Sequence, residues 1–354
     1  MSARQILSNT GALALARGVT ASLTLVTTVY LGRVLGPDAY GMLSWGLALL
    51  TYFFVVPNLG LNVYGVRAAA RDRELVADLA GRILALRLLL ATLTALVLSA
   101  VVLASPIAPV LKVVVLVQGT ALFAHASSVE WAFEGRQRMG LLASRHIAVA
   151  VIGTGLVVLA VRGPDDVVLA AAIPPLALLA GNVWLLLTHL RTFGPFTLRW
   201  SVEGWRPLVR AGLPIAASLF MVQVYTGTDQ VMLGVFGENE DVGLYAAAYR
   251  FVTAALIPLH ILLQAFAPSL SVLRGDRESM RTGGEALMGA LIGVGLPLAV
   301  VAAALAPMLM ALFGAEYLPA APSLMILMGS VALGYLHTGL GRALVYWDHE
   351  KAYM

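Results

Sequence analysis

Residues 16–45 read ARGVTASLTLVTTVYLGRVLGPDAYGMLSW, and the fold follows from this stretch. Its apolar run predicts a membrane helix that carries Arg17. The run ends at Gly36-Pro37-Asp38, a combination typical of a tight turn, and a second apolar run begins directly after it. The stretch therefore predicts two membrane helices joined by a short turn.

The same pattern returns in the second half of the chain. Residues 226–247 read TGTDQVMLGVFGENEDVGLYAA. A shift of 202 residues aligns three pairs: Leu31 with Leu233, Gly32 with Gly234, and Gly41 with Gly243. A repeat with an even number of membrane crossings between its copies is typical of transporters that work between two lobes.

The composition is that of an integral membrane protein. Of the 354 residues, 60% are hydrophobic and 12% are charged, whereas a soluble domain carries about 25% charged residues. The mean hydropathy is +0.87. The chain has no cysteine, which excludes disulfides and thiolate metal sites. The histidines lack the helical spacing of metal ligands, so we expect neither a metal site nor another cofactor.

Ten apolar segments are long enough to cross a hydrocarbon core, which takes about 20 helical residues. They cover residues 9–33, 40–61, 80–104, 107–133, 141–161, 167–188, 208–236, 242–270, 284–313 and 319–346. The predicted fold class is therefore all-α and integral to the membrane, with two related halves.

The loops between these segments alternate in charge. Most of the 23 lysines and arginines, Arg145 among them, fall in segments that face the cytoplasm if the N-terminus lies there. The opposite loops are acidic and hold only Arg33, Lys112 and Arg162 as basic residues. This bias predicts a cytoplasmic N-terminus. It also assigns the basic residues to topology rather than to nucleic-acid binding.

The longest inner loop divides the chain. We predict an N-terminal six-helix bundle at 1–189, a cytoplasmic linker at 190–206 and a C-terminal bundle at 207–354. Trp200 and Trp205 favour a linker that lies at the membrane surface, although an ordinary connection fits as well. The second bundle has four of the six helices that a full repeat requires, which predicts an incomplete copy of a longer protein.

Four motifs resemble a known family. They are LGRVLGPDAYG at 31–41, NLGLNVYGVRAAAR at 58–71, EWAFEGRQRM at 130–139 and AGLPIAAS at 211–218. They are similar to the Wzx-type oligosaccharide flippases of O-antigen and polysaccharide export. That group belongs to the MATE-like superfamily of multidrug, oligosaccharidyl-lipid and polysaccharide exporters, which also contains the lipid II flippase.

The resemblance implies two helical bundles around a central cavity in the cytoplasmic membrane. It implies alternating access and an undecaprenyl-pyrophosphate-linked oligosaccharide as the substrate. Besides this lipid-linked oligosaccharide, the expected partners are membrane lipids, with other polysaccharide-export proteins as further candidates. No nucleic acid is expected.

Arginines within the apolar segments are the candidates for binding an anionic pyrophosphate. Arg17 and Arg250 are the first choices, because a charge at mid-membrane is costly and normally faces protein or water. A guanidinium can hold phosphate with two donors. Structural pairing with an acid or a helix end is the alternative. Arg87 is a third candidate at the cytoplasmic mouth, although snorkelling to the inner headgroups explains Arg87 and Arg82 as well.

Other polar residues are candidates for the cavity or for ion coupling. Asp229 is either a proton or cation site or the counter-ion of an arginine. Gln223 and Gln264 could line a hydrated cavity, as could Gln118 and Asn182, but hydrogen bonds between helices explain all four equally well. For Glu130, beside Trp131, the role of an interfacial anchor is favoured over that of a coupling site.

A membrane enzyme and a cation-coupled antiporter are the alternatives to a flippase. A membrane enzyme would need a substantial catalytic loop or clustered acids, and the outer loops are too short, so we do not expect an enzyme. A cation-coupled multidrug antiporter of the MATE type shares the fold and remains the alternative. The excess of arginine over acid within the segments favours the anionic lipid.

Overall fold

The computed structural model describes the backbone of residues 3–272 and 277–346. Within these residues the chain is helical and contains no β-strand. Nine of the described helices are long and apolar enough to cross a membrane. The predicted all-α membrane fold is confirmed. The count falls from ten because the first two predicted segments form one bent helix.

The chain divides into two compact units, residues 1–243 and 244–354. The first unit contains α1 (Ala3–Asn58), α2 (Leu61–Arg71), α3 (Leu75–Ala104), α4 (Pro109–Gly119), α5 (Ala121–Ala126), α6 (Glu130–Gly135), α7 (Met139–Ala160), α8 (Val167–Phe193) and α9 (Val202–Phe236). The second unit contains most of α10 (Asn239–Ala255), together with α11 (Ile257–Val272), α12 (Arg277–Ala304), α13 (Ala306–Ala311) and α14 (Ala321–Tyr346). Because α9 packs on α1, α2 and α3, it belongs to the first unit. The division into bundles around residues 190–206 stays a prediction.

A bend at Gly36 divides α1 into two arms. Gly36 has φ 72° and ψ 170°, a left-handed conformation that glycine adopts without steric cost. Pro37 follows and disfavours helical geometry at the residue before it. The predicted Gly-Pro turn is therefore present, with a first arm at residues 3–35 and a second arm at residues 37–58.

The two copies of the repeat touch each other through glycines. A Cβ atom on Gly41 would lie 1.8 Å from the carbonyl oxygen of Asn239. A Cβ atom on Gly243 would lie 2.0 Å from the carbonyl oxygen of Pro37. Pro37 and Asn239 are themselves related by the 202-residue shift. The glycine of each copy thus contacts the residue four positions before the glycine of the other copy. Such a reciprocal contact is expected for two units related by a two-fold axis.

After this contact, the second arm of α1 packs along α9. The ring of Trp45 lies where a side chain on Gly234 would be, and its indole nitrogen donates to the carbonyl oxygen of Val231 at 3.2 Å. Further along, the hydroxyls of Tyr52 and Thr228 hydrogen-bond at 2.8 Å. The small residues of α9 therefore let the two helices approach closely.

The C-terminal end of this arm, which is predicted to lie on the inner side of the membrane, is an irregular break before α2. Leu59 and Gly60 both have positive φ, 43° and 66°. The break fits against α9, because a Cβ atom on Gly212 would lie 2.0 Å from the carbonyl oxygen of Leu59. The AGLPIAAS motif thus begins at a tight contact with the end of α1.

Helix α2 was not predicted, since its arginines suggested a loop. It buries Leu61, Gly65 and Ala69, which recur every four residues on one face. A Cβ atom on Gly65 would lie 2.6 Å from the ring of Trp131, so α2 lies directly on α6. An apolar stripe under exposed arginines makes α2 a short amphipathic helix.

The linker predicted at residues 190–206 is fixed to α3. The backbone N–H of Arg199 donates to the carbonyl oxygen of Gly81 at 3.3 Å, and its guanidinium pairs with Asp78 at 3.0 Å. Trp200 is 58% exposed, and its ring meets that of Trp205 edge to face at 6.0 Å. The linker therefore packs on the first unit while presenting an aromatic ring outward.

Candidate functional site

A network of charged and polar side chains lies inside the first unit. The Glu130 carboxylate accepts hydrogen bonds from the guanidinium of Arg145 and, at 2.6 Å, from the ring of His146. Arg145 is only 2% exposed and also donates to the carbonyl oxygen of Gly181 and the amide oxygen of Asn182. A buried guanidinium requires such partners, because an unpaired charge in this setting is very costly. The network joins α6, α7 and α8.

One interpretation from the sequence is wrong here, because Arg145 lies in α7 rather than in an inner loop. Glu130 is the acid of this network, and the neighbouring Trp131 is fully buried. The interfacial location of Glu130 stays a prediction. A signal for this pair was available: Glu130 and Arg145 fall near the predicted cytoplasmic ends of consecutive apolar segments, at similar depth.

Arg87 is the second buried guanidinium of the first unit. It is 2% exposed and donates to the carbonyl oxygen of Ser128 at 3.0 Å and to the amide oxygens of Asn62 at 2.8 Å and Asn58 at 3.3 Å. Asn58 ends α1 and Asn62 lies in α2, so Arg87 joins the two sides of the break. The snorkelling interpretation of Arg87 is wrong. Arg82 is partly exposed and pairs with Asp78 at 2.7 Å.

Arg17 is exposed on the first arm of α1. This arm packs on α7, where the hydroxyls of Thr27 and Thr154 meet at 2.7 Å. Arg17 precedes Gly36 by 19 residues, which is about 28 Å of helix. That distance is close to the thickness of a hydrocarbon core, about 30 Å. If Gly36 marks the outer end of the span, Arg17 lies near its inner end rather than at its middle.

The remaining predicted site residues are divided between the two units. Asp229 is exposed and Gln223 is half-buried, and both lie on α9 in the first unit. The Asp229 carboxylate accepts from the backbone N–H of Gln230 at 2.8 Å. Arg250 is half-buried on α10 and Gln264 is exposed on α11, both in the second unit. Substrate binding by Arg17, Arg87 and Arg250 stays a prediction, as do the roles of Asp229, Gln223 and Gln264.

Two of the polar residues have an interhelical role. The Gln118 amide donates to the carbonyl oxygen of Leu43 at 3.0 Å, and a Cβ atom on Gly46 would lie 2.2 Å from the other end of that amide. The Asn182 amide donates to the carbonyl oxygen of Ala124 in α5 and accepts from Arg145 in α7. Of the two interpretations left open for these residues, the structure favours hydrogen bonding between helices.

Comparison with known proteins identifies the family. The family described as "Polysaccharide biosynthesis protein" matches residues 6–273. The chain belongs to this family. A curated protein of Escherichia coli K12, named "Putative O-antigen transporter", is 25% identical over 264 residues. The match covers 73% of this chain and 63% of that relative, so the chain spans less than two thirds of the relative's length.

Solved structures show the same fold. The lipid II flippase MurJ in an inward closed conformation superposes with a TM-score of 0.68 at 12% identity, covering 96% of this chain and 77% of MurJ. An inward-facing multidrug resistance MATE family transporter of the MOP superfamily gives 0.65 at 16% identity, covering 94% and 81%. The chain is therefore a multi-pass membrane protein with the fold of the MOP superfamily, as its motifs predicted.

Proposed function

We propose that the protein translocates undecaprenyl-pyrophosphate-linked oligosaccharide across the cytoplasmic membrane by alternating access. Membership in the polysaccharide biosynthesis family is the observation that carries the proposal. The name of the curated Escherichia coli relative supports the same substrate class. The N-terminus lies in the cytoplasm, as the distribution of basic residues favours.

The arginines supply the recognition chemistry. A pyrophosphate carries concentrated negative charge, and a guanidinium binds it through a planar pair of donors. Arg17, exposed near the predicted inner end of α1, binds the headgroup as it enters from the cytoplasmic leaflet. Arg250 is the other predicted headgroup ligand, and the polyprenyl tail stays in the lipid. Translocation breaks no covalent bond, so no catalytic residue is required.

The contact between the two repeats supports alternating access. At Gly41 and Gly243, backbone meets backbone with no side chain between the two helices. Such a contact between α1 and the start of α10 closes the predicted outer side while the inner side receives substrate. Separation of the two turns then opens the outer side.

A cation-coupled multidrug antiporter is the second candidate, because MATE transporters share the fold. Such a mechanism needs a carboxylate that can exchange a cation. In the first unit the half-buried Glu130 is already paired with Arg145, which argues against that use. Asp229, which is exposed, is the better candidate for the antiporter reading.

Transport in proteoliposomes tests the proposal. The full chain is reconstituted, and movement of a fluorescent undecaprenyl-pyrophosphate oligosaccharide to the opposite leaflet is followed. Arg17→Gln and Arg250→Gln should each slow transport at least roughly tenfold, the value of about one hydrogen bond to a charged group. Arg162→Gln is the matched control, because this exposed arginine of an outer loop donates to the carbonyl oxygen of Leu159 in its own segment.

Two results would reject the proposal. One is a wild-type protein that leaves the lipid in place but exports a cationic dye against a proton or sodium gradient. The other is transport of the lipid that Arg17→Gln, Arg250→Gln and Arg162→Gln slow equally, because the predicted arginines would then have no special role.

A further inference from the structure

The first turns of α9 extend beyond the membrane core. The helix has 35 residues and is therefore about 52 Å long, whereas the hydrocarbon core is about 30 Å thick. If its end at Phe236 marks the outer boundary, roughly its first 14 residues lie at the level of the inner headgroups. Trp205 lies in this segment and Trp200 shortly before it, and such aromatic rings are enriched at that level.

A hollow of about 450 Å³ lies on this segment. Arg206, Pro207, Arg210 and Ala211 line it. Arg206 and Arg210 are one helical turn apart, so both project from the same face of α9, and both are exposed. Pro207 and Ala211 are small, and the space between the two long side chains stays open.

The two arginines lack the partners that neighbouring arginines have. Arg82 and Arg199 share the carboxylate of Asp78, at 2.7 and 3.0 Å. Among the residues that the structure describes, neither Arg206 nor Arg210 has an ion pair or a hydrogen-bonded acceptor. Like charges four residues apart on a helix repel each other. An anion between them would replace this repulsion by two attractions.

We propose that this hollow binds the phosphate group of a lipid at the inner membrane surface. Two guanidinium groups on one face can each present a pair of donors to phosphate oxygens. An anionic phospholipid headgroup and the diphosphate of a polyprenyl carrier share this chemistry. The site is separate from Arg17 and Arg250, and it does not depend on which substrate the protein transports.

Lipid binding to the full chain tests the site. The protein is placed in nanodiscs of phosphatidylcholine alone, with added phosphatidylglycerol, or with added undecaprenyl diphosphate. Bound lipid is quantified by native mass spectrometry. The Arg206→Gln, Arg210→Gln double variant should bind the favoured anionic lipid roughly thirtyfold more weakly, since each basic residue near the surface contributes about a factor of five.

The control removes the same charge from the neighbouring cluster. The Arg82→Gln, Arg199→Gln double variant loses two arginines that already share Asp78, and its lipid affinity should fall less than about threefold. Loss of phosphatidylglycerol alone in the Arg206 and Arg210 variant would assign the site to a membrane phospholipid. Loss of undecaprenyl diphosphate would assign it to the carrier. Equal binding by wild type and this variant, or an equal loss in the control, overturns the site.

Discussion

Different kinds of interaction hold the two ends of the second arm of α1. At its N-terminal end, which is predicted to be the outer end, Gly41 and Gly243 bring two backbones into direct contact. At its C-terminal end, which is predicted to be the inner end, Arg87 holds Asn58 and Asn62 through hydrogen bonds in a buried setting.

The difference indicates which end is able to move. Parting the glycine contact loses many weak van der Waals attractions, each about 0.1–0.2 kcal/mol. Breaking the inner contact would leave a buried guanidinium and several acceptors without partners, at about 1–3 kcal/mol for each group. We therefore expect the inner break to stay fixed while the outer contact opens.

The largest effect is expected from removing the charge at the inner end. Arg87→Met should lower the free energy of unfolding by about 3–5 kcal/mol, because the acceptors at Ser128, Asn58 and Asn62 lose their donor. Unfolding of the purified protein by SDS measures this. Arg82→Met is the control, since the Arg82 side chain is 37% exposed, and it should cost less than about 1 kcal/mol. Equal losses would remove the distinction between the two ends.

The outer contact is tested by a double-mutant cycle. Gly41→Ala and Gly243→Ala should each cost about 1–3 kcal/mol, because the added methyl group forces the same two backbones apart. Once they are apart, the second substitution meets less resistance, so the double variant should cost less than the sum. Additive costs, measured in the same SDS titration, would contradict a shared contact. Gly18→Ala, which has open space around it, is the control.

The backbone at the inner break gives a smaller effect. Gly60→Ala should cost about 1–2 kcal/mol for its left-handed conformation, in addition to contact with Ile215. Gly60→Asn adds the same Cβ atom but tolerates this conformation better, and should therefore recover part of the loss. If the two variants unfold alike, contact with Ile215 rather than backbone conformation is what requires glycine at this position.

The smallest effect is expected midway between the two ends. Tyr52→Phe removes the hydrogen bond to Thr228 and should cost about 0.6 kcal/mol, the average for such bonds between membrane helices. Thr228→Val should cost a similar amount, and the double variant no more than either. A loss above about 2 kcal/mol would show that this bond, rather than the contact of Trp45 with Gly234, holds the arm to α9.

The sequence predicted the positions of the helices better than the directions in which their side chains point. Apolar runs and the Gly36-Pro37 turn are local signals, and they predicted the long helices and the bend. The 202-residue repeat also aligns Gly41 with Gly243, the two glycines that meet in the structure. The pairing of Glu130 with Arg145 was missed because hydropathy reports the depth of a residue but not the direction its side chain takes. The fully buried state of Arg87 was missed for the same reason.

The reciprocal glycine contact has a consequence for the origin of the fold. Pro37 and Gly41 meet Asn239 and Gly243 just as two copies of one subunit meet across a dimer axis. An ancestral half-length chain could have formed this contact with a second copy of itself, and gene duplication followed by fusion would then have preserved it within one polypeptide. Since an even number of crossings is predicted between the copies, both are expected to cross the membrane in the same sense, and the axis of that ancestral dimer would then run along the membrane normal.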